Sequence, residues 1–196
     1  NKAVCLLSLS RFDEALATHR QAREFCAAQG MRNLVAETDY NIAYLYFLRG
    51  DYLEAGQLYD TARREAKAAG DRYHAALCDL DQAEMLLELN LNGEAEQLAE
   101  RARRAFGKLE LGYEAAKAQV FLALCAGKQG NYRRALARLA RARRIFLAES
   151  NTVWPAVIDL YSAMLLARSG GVGKARRRCL GALGFFSPSV LPAKAI

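Results

Sequence analysis

Four carboxylates lie close together in the sequence, at Asp79, Asp81, Glu84 and Glu88. On a helix, the last three share one face, where like charges can raise one another's pKa. Such a cluster could serve acid–base chemistry. However, the sequence contains no P-loop, Gly-x-Ser-x-Gly, His-Glu-x-x-His or Asp-x-Asp-x-Asp-Gly motif. We therefore expect a charged wall of a binding surface rather than a catalytic centre, and no enzyme activity.

Positive charge is concentrated in the second half of the chain. Residues 1–98 contain 10 basic and 16 acidic residues, a net charge of −6, and residues 99–196 contain 18 and 5, a net charge of +13. Arg134, Arg138 and Arg141 would share one helical face. This face could be a solvated surface, a docking site for an acidic protein or a nucleic-acid site. Few aromatic residues are interleaved with it, which disfavours nucleic acid.

The thiols and imidazoles do not form a metal site by their spacing. The sequence contains five cysteines, at Cys5, Cys26, Cys78, Cys125 and Cys179. No two of them have Cys-x-x-Cys spacing, and neither His19 nor His74 lies near a cysteine pair. We expect small buried thiols in a reducing, cytoplasmic compartment, with no metal and no cofactor. No apolar run approaches the roughly 20 residues of a membrane span, so we expect no membrane partner.

The elements that carry these residues are repeats, because alanine recurs in three columns at a constant step of 40. The columns are Ala3, Ala43, Ala83, Ala123 and Ala163; Ala15, Ala55, Ala95, Ala135 and Ala175; and Ala22, Ala62, Ala102, Ala142 and Ala182. Small side chains let two antiparallel helices approach to about 8–10 Å between their axes. The columns therefore indicate the crossings of stacked helix pairs.

Turn residues divide each repeat into a first helix, A, and a second helix, B. Helix A ends near Gly50, Asn90, Gly130 or Gly170, where Gly or Asn suits a left-handed cap. We predict helices near 1–9, 12–29, 33–49, 52–69, 73–89, 92–108, 112–129, 132–149, 154–169 and 172–185. The predicted repeats lie near 1–30, 31–70, 71–110, 111–150 and 151–186, in a single array over 1–196. Residues 187–196 would begin a further repeat or a linker, and we expect the chain to be part of a longer protein.

The second repeat carries a resemblance to the tetratricopeptide repeat (TPR) family. Ile42-Ala43-x2-Tyr46, followed by Ala55, Tyr59 and Ala62, is similar to the family pattern, although Asp39 stands at the family's Trp position. The 40-residue period resembles kinesin light chain, LGN, Rap-type and CHAT-associated arrays. The resemblance implies an all-α, right-handed superhelical α-solenoid of about five repeats. Its A helices would line a concave groove, and its B helices would form the convex face.

In the 40-residue relatives, an asparagine ladder on the A helices grips the backbone of an extended peptide. By resemblance, Asn1 and Asn41 match this ladder and Asp81 matches it in part, whereas Phe121 and Tyr161 depart from it. Further residues are expected to line the groove: Tyr40, Tyr44, Phe47, Glu84, Glu88, Leu124, Lys128, Met164 and Arg168. Aromatic anchors with a few charges are typical of a protein-binding surface. The alternative is that many of them belong to the core between repeats.

We therefore expect a scaffold that binds a peptide or protein segment in its groove, with an acidic protein as a further partner at Arg134, Arg138 and Arg141. The alternative is a regulatory module of a larger enzyme, such as a CHAT-type protease, whose catalytic domain lies outside this chain. That second resemblance depends on the B-helix runs and on residues 151–160. A basic nucleic-acid binder remains a third and less favoured option.

Overall fold

The computed structural model describes residues 2–186, and every regular element in that range is an α-helix. The helices are α1 (Lys2–Ser8), α2 (Phe12–Ala28), α3 (Arg32–Arg49), α4 (Tyr52–Ala68), α5 (Arg72–Glu88), α6 (Asn92–Lys108), α7 (Gly112–Lys128), α8 (Tyr132–Ala148), α9 (Val153–Arg168) and α10 (Val172–Phe185). Odd-numbered helices are A helices and even-numbered ones are B helices. Each predicted helix end lies within one residue of the observed end. The tail at 187–196, predicted as a further repeat or linker, lies outside the described residues.

A left-handed residue follows each helix from α1 to α9, at a constant step of 20 residues. These residues are Ser10, Gly30, Gly50, Gly70, Asn90, Glu110, Gly130, Ser150 and Gly170, with φ between 57° and 85°. After α3, the amide of Asp51 donates to the carbonyl of Tyr46, which closes the helix end with a Schellman-type bond of 3.0 Å. The regular turn spacing explains why the helix ends could be predicted closely.

The chain divides into two compact units, with residues up to Leu89 in unit 1 and residues from Asn90 in unit 2. In unit 1, α3 packs against α2, α4 and α5, and α1 packs against α2. In unit 2, α7 packs against α6, α8 and α9, and α9 also packs against α8 and α10. The predicted all-α fold of stacked helix pairs is therefore confirmed. A single array over 1–196 stays a prediction.

The alanine columns lie in the cores, as their role at helix crossings requires. Of the fifteen alanines, all but Ala22 are buried. In unit 1, Ala43, Ala55 and Ala62 surround the fully buried ring of Tyr59. Ala22 is the exception and is exposed.

The prediction of five buried thiols is correct for three of the cysteines. Cys26, Cys78 and Cys125 are buried, and burial raises the pKa of Cys78 to about 12 and that of Cys125 to about 11. Cys5 is exposed and Cys179 is half-buried, because both lie on helices that have neighbours on fewer sides. All five are free thiols.

Candidate functional site

Unit 1 presents two neighbouring A helices, α3 and α5, with side chains at matching register positions. Asn41, Tyr44 and Leu48 of α3 stand at the positions that Asp81, Glu84 and Glu88 occupy on α5, 40 residues later. The spacing i, i+3, i+7 places each set on one helical face. We call these six residues the unit 1 stripe.

The α3 half of this stripe contains an amide without a partner. Asn41 is half-buried, and within residues 2–186 its side chain makes no hydrogen bond. Tyr44 is also half-buried, and its ring lies 6.2 Å from the ring of Phe47. Leu48 is 41% exposed. The sequence therefore folds α3 so that an amide, an aromatic ring and an aliphatic side chain follow one another along its surface.

The α5 half of the unit 1 stripe is acidic and is held by tyrosines. The hydroxyl of Tyr40 donates a 2.6 Å hydrogen bond to Asp81, which is buried. Burial and the Asp81 charge both raise the pKa of Tyr40, so the phenol stays protonated and remains a donor. Tyr52 donates to the exposed Glu88 at 3.0 Å. Asp81 and Glu88 are therefore fixed in place by side chains of the preceding repeat.

The predicted carboxylate cluster does not converge on one point. Asp79 points away from the stripe to Arg63, at 3.0 Å, whereas Asp81 and Glu88 bind Tyr40 and Tyr52. Within residues 2–186, no group of three or more His, Cys, Asp or Glu side chains could hold a metal ion. The geometry thus resembles a charged helix surface.

Unit 2 repeats the same register on α7 and α9 with different chemistry. Phe121, Leu124 and Lys128 lie on α7, and Tyr161, Met164 and Arg168 lie on α9. We call these six residues the unit 2 stripe. It is apolar and basic where the unit 1 stripe is polar and acidic.

On α7 most of the unit 2 stripe is occupied by contacts inside the unit. Phe121 is buried, with the ammonium of Lys117 5.7 Å from its ring. Leu124 is half-buried against the core around Val120. Lys128 is exposed and donates to the side-chain oxygen of Asn90 at 2.8 Å.

On α9 the unit 2 stripe is open. Met164 is 51% exposed, and Tyr161 is half-buried beside it. Arg168 is exposed and has no hydrogen-bond or ion-pair partner in the part of the chain that the structure describes. These three side chains offer an aromatic ring, a flexible thioether and a cation on one face.

Several predicted groove residues therefore have little surface to offer a ligand. Phe47, Asp81 and Phe121 are buried, at 7%, 2% and 3% exposure. Phe47 belongs to the unit 1 core with Tyr59. Asn1 lies outside the described residues. The peptide-binding role of the whole predicted set stays a prediction.

A second pattern, not predicted from the sequence, links each B helix to the next A helix. Arginines at a step of 40 reach carboxylates 16 residues later: Arg23 with Asp39, Arg63 with Asp79, and Arg143 with Asp159. Asp39 and Asp79 are buried and Asp159 is half-buried, so each ion pair joins two repeats through a carboxylate that is largely withdrawn from solvent. The constant steps of 40 and 16 in the sequence could have revealed this ladder.

The ladder is interrupted in unit 2. Gln119 stands where the other repeats have aspartate, and Arg103 turns instead to Glu100 of its own helix, at 2.7 Å. Hydrogen bonds from Arg103 and Arg104 hold the pKa of Glu100 at about 2. The predicted basic residues Arg134, Arg138 and Arg141 lie on α8, facing this interruption.

Comparison with known proteins supports the fold. No protein-family model matches the sequence, and no curated protein matches it in sequence. Among solved structures, BtubC (BKLC) from P. vanneervenii is similar at 19% identity and a TM-score of 0.77, over 92% of this chain and 75% of that one. The fold is therefore that of tetratricopeptide-like repeat proteins, as the resemblance implied.

Two further solved structures with a similar fold belong to longer proteins. A Rap protein solved in complex with competence and sporulation factor has 17% identity and a TM-score of 0.80, over 94% of this chain and 52% of that one. A STAND signal-transduction ATPase with a tetratricopeptide repeat sensor, from Pyrococcus horikoshii, has 17% identity and a TM-score of 0.74, over 94% of this chain. This chain spans about half of the Rap protein and 29% of the ATPase. Among the described helices, none is long and apolar enough to cross a membrane.

Proposed function

We propose that the chain is a protein-interaction scaffold that binds a peptide or protein segment along its A helices. The observation that supports this proposal is that polar and apolar side chains of the stripes are accessible to a ligand. Asn41 in unit 1 has an amide without a partner, and Met164 and Arg168 in unit 2 are exposed on one face. An amide can both donate to and accept from a peptide backbone. The likeness to a Rap protein solved with a bound factor supports the same reading.

The exposed and half-buried members of the stripes are the residues that we propose as ligand contacts. In unit 1 they are Asn41, Tyr44, Glu84 and Glu88, and in unit 2 they are Leu124, Lys128, Tyr161, Met164 and Arg168. The buried Phe47, Asp81 and Phe121 would not contact the ligand but would hold the helices and neighbouring side chains in position. A cytoplasmic location belongs to the same proposal.

The test is a selection followed by a matched substitution. A phage-displayed library of 12-residue peptides is selected on the immobilised chain, and the affinity of a recovered synthetic peptide is measured by calorimetry. Replacement of Asn41 by Ala should weaken that affinity about tenfold, through the loss of backbone hydrogen bonds worth about 1–2 kcal/mol. Replacement of the exposed Gln57 on α4 by Ala should leave it unchanged.

If recovered peptides that contact unit 1 bind the Asn41→Ala variant as tightly as they bind wild type, the proposed ladder role of Asn41 is wrong. If no peptide is recovered that any stripe substitution weakens, the scaffold proposal itself fails. The helical circular dichroism of both variants should match that of wild type, since neither residue is in a core cluster.

The alternative is a regulatory module of a larger enzyme, with the CHAT-type protease as one example. One observation favours this class: the Pyrococcus horikoshii ATPase carries its tetratricopeptide repeats as a sensor, and this chain is similar to 29% of it. The sequence beyond Ile196 is the deciding observation, since a Cys/His catalytic domain there would support a protease module.

A further partner is proposed for the basic face of α8. The charges of Arg134, Arg138 and Arg141 suit an acidic protein segment better than nucleic acid, because the surface around them has no aromatic side chain for base stacking. This contact would be separate from the peptide site on the A helices.

A further inference from the structure

In unit 2, α6 and α8 flank a groove whose floor is α7. It encloses about 430 Å³. Its lining consists of Glu100, Arg103, Gln119, Arg134, Ala137, Arg138 and Arg141. Four arginines and one carboxylate thus line the groove, and Glu96 next to it lies 3.9 Å from Arg134. We call this cavity the α6–α8 groove.

The next groove in unit 2 lies between α8 and α10, and it contains a carboxylate that the α6–α8 groove lacks. There, Asp159 of α9 receives both Arg143, at 3.0 Å, and Arg178, at 2.5 Å. The equivalent residues 40 positions earlier are Gln119, Arg103 and Arg138. Because Gln119 carries no charge, the α6–α8 groove has both arginines but not the carboxylate that they would share.

The consequences are visible in the side chains of the α6–α8 groove. Arg138 is half-buried and makes no ion pair or hydrogen bond within residues 2–186. Gln119 is 8% exposed, and its amide likewise has no partner in that range. Burial and the neighbouring Arg134 lower the pKa of Arg138, and the charges of Glu100 and Glu96 oppose this shift only in part.

Glu100 does not supply the missing charge. Its carboxylate already accepts hydrogen bonds from Arg103, at 2.7 Å and 2.9 Å, and from Arg104, at 2.9 Å. A half-buried guanidinium without an ion-pair partner is costly unless an anion satisfies it. Among residues 2–186, Glu96 and Glu100 leave Arg138 without an ion pair, so the groove is suited to a further anion.

We propose that the α6–α8 groove binds carboxylates of an acidic protein segment, one of which takes the place that Asp159 fills in the next groove. Gln119 would donate its amide to that carboxylate, and Arg138 would form the ion pair. Arg134, Arg138 and Arg141 extend over about 10 Å along α8, which suits several carboxylates in a row rather than one small ion. The inference depends on the acidic-partner proposal for α8 and not on the peptide site of the A helices.

The test uses fluorescein-labelled decaglutamate, with binding followed by fluorescence anisotropy at low salt. Wild type should bind it, and Arg138→Gln should weaken binding at least tenfold. Arg133→Gln removes the same charge from an exposed position on α8 that does not line the groove. It should change the affinity no more than about twofold, as expected for a screened surface charge.

A second substitution tests the missing carboxylate directly. Gln119→Asp would restore the ladder pattern inside the groove, so Arg103 and Arg138 gain an internal partner and decaglutamate binding should fall at least tenfold. Gln97→Asp adds the same charge at an exposed position of α6 and should have little effect. Thermal unfolding of each variant verifies that it is folded.

The outcomes separate this inference from the proposal on which it depends. If wild type does not bind decaglutamate, both fail. If it binds but Arg138→Gln and Gln119→Asp bind as tightly as their charge-matched controls, an acidic partner remains possible on α8 and the α6–α8 groove is the wrong place. If sodium phosphate or (dT)10 displaces the peptide more effectively than sodium chloride at equal ionic strength, the groove prefers another anion and the proposal is overturned.

Discussion

Unit 1 and unit 2 have the same repeat framework but differ in how completely the arginine–carboxylate ladder is formed. In unit 1, both arginines of the ladder, Arg23 and Arg63, reach buried carboxylates. In unit 2, Gln119 interrupts the ladder, and Arg138 and Arg168 have no partner in the described part of the chain. The alanines that set the framework are the same in both units. Packing of the shared alanines therefore fixes the repeat, whereas the polar positions can differ between units and are available for binding.

The largest effect should come from a buried aromatic stack in unit 2, at a repeat position where unit 1 has alanine. Phe146 is fully buried and stacks on Trp154 at 5.2 Å between centroids, whereas the equivalent position in unit 1 is Ala66. Phe146→Ala should cost about 3–5 kcal/mol of unfolding free energy. Trp154 is the one tryptophan of the chain, so its fluorescence during guanidinium unfolding reports unit 2. The exposed Leu147→Ala should cost less than about 0.5 kcal/mol.

The next prediction compares two members of one alanine column. Ala62 is fully buried, whereas Ala22 is exposed. Ala62→Leu should overpack the crossing and cost about 1–3 kcal/mol, and Ala22→Leu should stay within about 0.5 kcal/mol of wild type. Guanidinium unfolding followed by circular dichroism measures both. Equal costs would contradict the assignment of this column to helix crossings.

The ladder can be broken in unit 1 to imitate its natural interruption in unit 2. Asp39→Asn leaves Arg23 with a neutral partner, as Gln119 does at the equivalent position. Because Arg23 is partly exposed to water, we expect a cost of about 1–2 kcal/mol. Asp13→Asn alters a carboxylate that is 93% exposed and should cost almost nothing. A cost for Asp39→Asn as small as that of its control would mean that the ladder does not stabilise unit 1.

A smaller effect should appear as a pH dependence of unit 2. Hydrogen bonds from Arg103 and Arg104 lower the pKa of Glu100 to about 2, below its unfolded value near 4.5. The stabilisation is therefore complete above pH 4.5 and is lost as the pH falls toward 2. Solvent screening limits it to about 1 kcal/mol. Glu100→Gln should remove this part of the pH dependence of the unfolding midpoint, which is followed by Trp154 fluorescence. A pH profile identical to that of wild type would contradict the stabilising role of Glu100.

The sequence predicted the helices closely and the binding surface only in part. A left-handed turn residue every 20 positions and three alanine columns define the helix ends and crossings, because both depend on local geometry. The burial of Phe47 and Phe121 could not be predicted, since a groove lining and a core share the same helical spacing. The partnership of Arg23 with Asp39 depends on how consecutive repeats pack, and in the sequence only the combined steps of 40 and 16 over several repeats indicate it.

The central claim is that the peptide site lies on the A-helix stripes, apart from the acidic-partner site on α8. Benzoylphenylalanine placed at Tyr44 or Met164, which share one register column, should crosslink a biotinylated selected peptide under ultraviolet light. The same group at Leu53 or Arg133, which share a column on the B helices, should not. Crosslinking at Tyr44 or Met164, with none at Leu53 or Arg133, would support the proposed peptide site. Crosslinking confined to Leu53 or Arg133 would contradict it.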